Sequence, residues 1–464
     1  MFASLFKLAL PLAVLAAQAP TFEPAAATPE SNSTDYVGQS NGTLSNSPLV
    51  PGKAFDRVIQ IWLENTDYDD AASSSVFKSL GEQGITLTQY YAVTHPSEPN
   101  YVAVVGGDFW GMADDNLYNI PSNISTVVDL LDAKNISWAS YQENMPTDGF
   151  QGFNYTSENY LNSSAPPYTY YVRKHNPLVI YDSVANVPSR LARHRNFNDF
   201  AADLNASAIP QWLFVTPNLV DDAHDTTIDF ASDWLNFWLV PLLKDSNFND
   251  NRTLIILTFD ETETYTINNR VLTILLGGAI PENLKNTTDE TYYSHYSCLS
   301  TVEANWGLGS LGRGDTNKTM SNVFSFVANA TGYKNLDITG DAIPLTNATG
   351  TIPGPLNPEL YVPFLAPNTT AVGAGGGSVF ISNTTNTNLT SASAPAPVNL
   401  TASGSSVPAS GPDPTSTSPS GSSSGGSSSG GGSGSSSGAI PGAKVAGGMI
   451  FGAVGAVVGA FLVL

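Results

Sequence analysis

Two stretches of the chain, "RVIQIWLEN" from Arg57 and "RTLIILTFDETE" from Arg252, constrain its fold more than any others. Each is an unbroken apolar run of strand length that ends abruptly in acids and amides. A run without polar alternation has no solvent face, so it belongs inside a sheet covered on both sides. Further runs follow the same plan. "STVVDLLDAKN" reads as a helix and "ISWASYQEN" as the strand after it. "QWLFVTPNLVDDAHD" is a strand leading into a polar loop, "DFASDWLNFWLVPLLKD" has helical spacing, and "RVLTILLGG" is another strand. Helices alternating with buried strands predict an α/β protein: a doubly wound, mostly parallel central sheet with helices on both faces. In such a sheet ligands bind beyond the carboxyl ends of the strands, where the polar clusters gather here.

The ends of the chain differ from this middle. "MFASLFKLALPLAVLAAQAP" has one Lys, an apolar stretch and small residues near Ala16 to Ala19, the pattern of a signal peptide. Pro20 disfavours cleavage directly after Ala19, so the cut is expected one to three residues earlier. At the other end, "AKVAGGMIFGAVGAVVGAFLVL" follows a Ser/Gly-rich spacer and has no basic tail behind it, as in a GPI attachment signal with its acceptor within Ser433 to Ser437. The expected organisation is a signal peptide at 1–19, a linker at 20–53, a catalytic domain at 54–364, a Ser/Gly/Thr/Pro-rich stalk at 365–437 and a removed tail at 438–464. About sixteen Asn-x-Ser/Thr sequons between Asn32 and Asn399 predict N-linked glycans on a secreted or cell-surface protein, attached to the plasma membrane or cell wall. The single Cys, Cys298, excludes an intrachain disulfide and is expected to be buried. Eighteen Lys+Arg against 40 Asp+Glu give a net charge of -22, which excludes nucleic acid as a partner because nothing would neutralise its phosphates.

Five polar clusters could carry chemistry. Glu64 and Asn65 close the first strand and offer hard oxygens to a cation. In "YYAVTHPSEPNYVAVVGG" Ser97 stands between two prolines, either a nucleophile on a rigid turn or an ordinary turn residue; His95 and Asn100 flank it. "TPNLVDDAHD" supplies Asp221, Asp222, His224 and Asp225, either ligands and an acid/base pair or a solvated acidic loop. Asp260 and Glu261 end the most apolar strand, and adjacent carboxylates there need a cation or a shared proton. "YYSHYS" brings His295. The most basic spot, "YYVRKHNPLVIYDS", adds Arg173, Lys174 and His175, which suit a phosphate oxygen or simply open a helix. Of the five histidines only His194, in "RLARHR", reads as a surface position. No HExxH, no Cys/His zinc spacing and no GxSxG elbow occurs in the patterned part of the chain, which disfavours a zinc peptidase or an α/β-hydrolase triad.

The ordered set "LENTDY", "HPSEPNYVAVVGG", "KHNP", "TPNLVDDAHD" and "LTFDE" resembles the phosphoesterase family of acid phosphatases and phospholipases C, over about residues 55 to 345, and most resembles its secreted fungal acid phosphatases. The resemblance implies an alkaline-phosphatase-like sheet and a metal-assisted serine. Carried over by position, it implies Ser97 as nucleophile and Asn100 as the amide on the phosphate. It implies one divalent cation, Ca²⁺, Mg²⁺ or Mn²⁺, on Glu64, Asn65, Ser97, Asp260 and Glu261. His224 and His295 are then candidate acids, His95, His175 and Arg173 hold phosphate oxygens, and Asp222 orients one of these histidines. The expected activity is hydrolysis of small phosphate monoesters through a phosphoserine. A phospholipase C or phosphodiesterase, or a non-catalytic wall glycoprotein, are the alternatives.

Overall fold

The computed structural model describes residues 44–401, apart from 46, 158, 160, 161, 163 and 347–351. The expected signal peptide, most of the linker, the later part of the stalk and the tail lie outside the described residues. All described residues fall in one unit, Met1–Ser416; a second, Thr417–Leu464, lies beyond them.

The described residues form twelve strands: β1 (Arg57–Leu63), β2 (Ile85–Leu87), β3 (Tyr90–Tyr91), β4 (Trp138–Gln142), β5 (Asn154–Ser157), β6 (Tyr168–Val172), β7 (His194–Arg195), β8 (Trp212–Thr216), β9 (Thr253–Phe259), β10 (Thr273–Leu276), β11 (Thr287–Asp289) and β12 (Tyr293–Ser294). Eight of them make one sheet in the order β11-β2-β10-β9-β1-β8-β4-β7. The two runs singled out in the sequence, β1 and β9, are its centre, and all of β9 is buried. β1 pairs in parallel with β8 and β9, β4 in parallel with β7 and β8, and β11 with β2. Only β10 runs against its neighbours. The 260–272 connection before it contains no helix, so the chain returns alongside β9 without the crossover that a parallel strand requires.

Successive residues of a strand point to opposite faces. Trp62 points to one face and packs on Tyr101 of the Ser97–Gly106 helix, with ring centroids 5.2 Å apart. Phe259 pairs with Leu63 on the other face and packs on Phe77 of the Ser75–Gly81 helix. On that same face Tyr141 meets Phe200 of the Phe197–Asn205 helix. Helices therefore cover both faces, as the unbroken apolar strands require. Trp62, Trp138, Trp212, Trp234 and Trp238 are fully buried in the core, and Cys298 is buried as a free thiol. With no disulfide available, this large aromatic interior is what offsets the entropy of ordering the chain.

Packing continues past Phe364, where the hydrophobic patterning fades. Phe364 lies on Trp110, the Asn368 N–H donates to the Gly312 carbonyl at 2.8 Å, and the Ala374 N–H donates to Glu303 at 3.2 Å. The segment is held by backbone hydrogen bonds at close approach rather than by apolar side chains: a Cβ on Gly375 would lie 2.3 Å from the Leu308 carbonyl oxygen.

Candidate active site

The sheet register assembles the first part of the site. Leu63 pairs with Phe259, and the Asp260 N–H donates to the Leu63 carbonyl at 3.0 Å. The next residues of each strand, Glu64–Asn65 and Asp260–Glu261, therefore leave the carboxyl edge side by side. Asn65 Nδ2 donates to Glu261 Oε1 at 2.8 Å. The Glu64 N–H donates to the Asp222 carbonyl at 2.8 Å, which brings the loop after β8 to the same place. Glu64, Asp222, Asp260 and Glu261 are all fully buried.

Ser97 is the first residue of the ten-residue helix Ser97–Gly106, after the cis His95–Pro96 bond. Its Oγ lies 3.1 Å from Glu64 Oε2, 3.3 Å from Asn65 Oδ1 and 3.4 Å from Glu261 Oε1. A hydroxyl has one proton and can satisfy one of these three acceptors. Asp260 Oδ2 is buried beside them with no hydrogen-bond partner among the described residues. Burial, with the charges of Glu64 and Glu261, pushes the Asp260 carboxyl well up; burial also raises Glu261, against the pull of His95. A converging set of hard oxygens, one of them orphaned, is the environment a divalent cation fits, and Ca²⁺, Mg²⁺ and Mn²⁺ all favour such donors. The five residues expected to hold a metal are thus brought together.

A second cluster shares Glu64. His175 Nε2 lies 2.9 Å from Glu64 Oε1, and its Nδ1 lies 3.6 Å from Asp222 Oδ2. Burial alone would raise Glu64, but the charge and contact of His175 outweigh it and hold the carboxyl well below the usual range. Glu64, His175 and Asp222 offer ligand atoms within 4.8 Å of one another, a geometry that could also hold a metal ion. Burial raises Asp222 to about 6, with the Glu64 charge adding to it and His175 opposing. Tyr101 stacks on His175 and donates its hydroxyl to Glu64 Oε1 at 2.6 Å. At the exposed rim, His224 lies 5.9 Å ring to ring from His175. Burial pulls His224 down, yet the 2.7 Å contact to Asp225 and the charges of Glu64 and Asp222 raise it to about 9. Asp225 orients the His224 ring; Asp222 accepts the backbone N–H of His224 and faces His175, the histidine it is placed to orient.

Other expected site residues stand elsewhere. His295 is fully buried, its Nε2 donating to the Asp260 carbonyl at 2.6 Å and its Nδ1 3.1 Å from the Tyr90 hydroxyl. Burial lowers it to about 3, so the ring is uncharged and its one N–H is spent on bracing the metal-facing turn. Asn100 is spent on the turn before Ser97: Oδ1 accepts from the Val93 and Thr94 N–H groups, and Nδ2 donates to the Thr94 and Pro96 carbonyls. It shapes the nucleophile turn instead of facing a phosphate. Arg173 is buried and donates to the Tyr118 and Val179 carbonyls and to Asn119, clamping a loop. Its basic neighbour Lys174 is the cation that faces the site, 2.9 Å from Asp115 and close enough to lower Glu64. His95 joins Glu261 Oε2 at 2.5 Å and lies flat under Tyr265. His194 is not a surface residue: it is wholly buried on β7, where pairing with β4 turns it inward.

Tyr101, Asp115 and Tyr265 stand outside the candidates named from the sequence, and Lys174 and Asp225, named within two of the clusters, have no role of their own there. For Tyr101 a signal existed, because four residues after Ser97 on a helix it shares the serine's face. Lys174 and Asp225 adjoin chosen residues. Nothing local marks Asp115 or Tyr265, which arrive by loop closure alone.

Against known proteins, the profile of the Phosphoesterase family matches residues 62–309. An acid phosphatase of Aspergillus fumigatus is 53% identical over 313 residues, 67% of each chain. A phosphate-repressible acid phosphatase of Penicillium chrysogenum is 47% identical over 320 residues, covering 68% of this chain and 74% of its own. A phosphonate monoester hydrolase of Agrobacterium radiobacter superposes with a TM-score of 0.35 at 11% identity, over 60% of this chain and 77% of its own, a likeness too loose to carry an argument. The profile spans the stretch from the end of β1 through the Tyr296–Trp306 helix, which contains every residue of both clusters, and the chain belongs to the Phosphoesterase family.

Proposed function

We propose that the protein is a secreted or cell-surface acid phosphatase that hydrolyses small phosphate monoesters through Ser97. The observation that carries this reading is the Ser97 hydroxyl at a helix N-terminus, facing Glu64, Asn65 and Glu261 at 3.1–3.4 Å. Similarity to fungal acid phosphatases supports the monoester reaction, and the sequence of residues 1–19 and 438–464 supports export and GPI attachment.

Glu64, Asn65, Ser97, Asp260 and Glu261 would hold one divalent cation. When bound, it lowers the pKa of the serine hydroxyl and offsets charge on the phosphoryl group. Ser97 Oγ attacks phosphorus, with Glu64 Oε2 the nearest acceptor for its proton. The positive end of the Ser97–Gly106 helix and Lys174 favour the phosphoryl dianion at this spot. The bond from phosphorus to the leaving oxygen breaks, and His224, kept protonated by Asp225, gives that oxygen a proton. Water then attacks the phosphoserine and releases phosphate. His175 and His95 hold the carboxylates that face the phosphoryl group. Raised to about 9, His224 keeps its proton across acid and neutral pH, so the general acid is charged throughout that range.

The test is Ser97→Ala, assayed on p-nitrophenyl phosphate, on its bis ester and on phosphatidylcholine. Wild type should act on the first alone, with a pH–rate profile peaking below neutral. The variant should lose about three orders of magnitude in kcat with an unchanged melting curve. Full activity in the variant refutes the mechanism; turnover of the diester or of the phospholipid points to the phosphodiesterase or phospholipase alternative.

A further inference from the structure

Strand β6 opens on Tyr168 and runs as "YTYYVRKH" into the turn that carries Lys174 and His175. It pairs with β5, antiparallel, in a two-stranded sheet apart from the eight-stranded one. A hairpin of this kind is marginal in water and needs a surface to dock on. Alternation along the strand supplies two. Tyr171 turns to Phe150, with ring centroids 5.7 Å apart. Tyr168 and Tyr170, with rings 5.2 Å apart, turn to the loop after β8. There Tyr170 is fully buried against Val220, and its carbonyl accepts the Leu219 N–H at 3.0 Å.

That loop carries the acid of the proposed reaction. The Leu219 carbonyl accepts the Asp225 N–H at 2.9 Å, and Thr226 Oγ1 donates to the Val220 carbonyl at 2.6 Å, so the loop closes on itself. Ala223, one residue before His224, sits at φ 84°, a region that a residue with a Cβ rarely adopts. Such a backbone persists only where its surroundings hold it. The ring of His224 needs a hold of its own. Its Nδ1 lies 2.7 Å from Asp225 Oδ1, but the two side chains are 32% and 27% exposed. An ion pair that open to water is weak and leaves both side chains free to turn. Asp225 has a second oxygen, and Tyr168 donates its hydroxyl to it. The carboxylate is thereby fixed at both oxygens, one on the histidine and one on the hairpin. With Nδ1 taken, Nε2 is the nitrogen left to meet a leaving oxygen.

We propose that Tyr168 is a positioning residue for the reaction: through Asp225 it holds the His224 ring at the angle from which Nε2 protonates the leaving alcohol. The inference rests on the reading of His224 as general acid given above. In that step the Nε2–H bond breaks and an O–H bond forms on the departing oxygen, while Tyr168 keeps its proton throughout. Because β6 continues into Lys174 and His175, the same hairpin fixes the acid relative to the groups on the phosphoryl side. A misdirected acid costs most where the leaving oxygen most needs a proton, so the role is visible with poor leaving groups.

The test compares Tyr168→Phe with wild type on ethyl phosphate and on p-nitrophenyl phosphate. Phenylalanine keeps the ring that packs in the hairpin and removes only the hydroxyl. kcat on ethyl phosphate should fall about tenfold, with KM within about twofold, and kcat on p-nitrophenyl phosphate should fall far less. An equal loss on both esters would mark a structural effect and overturn the proposal. A raised KM at unchanged kcat would make Tyr168 a substrate contact and overturn it too. Asp225→Ala and the double variant complete a cycle. If Tyr168 acts through Asp225, the double variant is no slower on ethyl phosphate than Asp225→Ala alone; losses that multiply overturn the assignment. His224→Gln, run beside them, separates this inference from the reading beneath it. If that variant spares ethyl phosphate, the acid role of His224 falls and this inference with it; a loss there without one in Tyr168→Phe removes Tyr168 alone.

Discussion

His194 gives a test of the fold that is independent of the chemistry. The ring is fully buried, its Nδ1 lies 3.1 Å from Asn176 Oδ1, and its Nε2 has no hydrogen-bond partner among the described residues. Burial, helped by the Arg173 charge, lowers it to about 3. An unfolded histidine titrates near about 6.5. The folded value is the lower one, so below about 6.5 the unfolded chain takes up a proton that the folded chain refuses. The contribution to stability is therefore full above that pH and shrinks as pH falls towards 3. Each pH unit in that window is worth about 1.4 kcal/mol, and from pH 7 to pH 4.5 the loss integrates to about 2.5 kcal/mol. His194→Gln keeps an amide that can meet Asn176 and removes the titration. Urea unfolding of both proteins at the two pH values measures the difference of differences, which cancels any fixed cost of the substitution. The variant should lose about 2.5 kcal/mol less than wild type between pH 7 and pH 4.5. Parallel pH dependences, within about 0.5 kcal/mol, would refute the burial of an uncharged ring at this position.

Tyr101→Phe removes one charge-assisted hydrogen bond to Glu64 while keeping the stack on His175; kcat/KM should fall about 10- to 100-fold, with the melting temperature little changed. His224→Gln should slow esters of alkyl alcohols about 100-fold and p-nitrophenyl phosphate far less, since nitrophenolate leaves without a proton; an equal effect on both would remove His224 from the acid role. Asn100→Leu removes the hydrogen bonds to the Val93 and Thr94 N–H groups and to the Thr94 and Pro96 carbonyls, of which the Thr94 carbonyl keeps Asn269, and should cost about 3 kcal/mol in urea unfolding, where a phosphate-contact residue would change KM instead. Chelation should abolish turnover, and re-addition of Ca²⁺, Mg²⁺ or Mn²⁺ singly should restore it and name the ion.

The order of strands and helices, the buried free cysteine and the acid and amide pairs at strand ends were legible in the chain, because burial on two faces demands unbroken apolar runs and their ends must be polar. The register of β1 against β9 then follows from those runs and brings Glu64–Asn65 beside Asp260–Glu261. What the sequence did not settle was the use of polar groups whose partners lie far along the chain. Asn100 and Ser97 sit three residues apart on one turn, yet Asn100 is consumed by the backbone it bends around and only Ser97 faces the carboxylates. His295 and His224 are both histidines after a strand; one is enclosed by Trp62 and Tyr90 and held near 3, the other stands at the rim beside Asp225 and held near 9. Arg173 and Lys174 are neighbours, and the alternation of a short turn sends one guanidinium into a loop and the other cation towards the site. Periodicity reports which face of an element is covered, but the charge state and task of a polar side chain depend on what closes over it, and only the tertiary structure decides that.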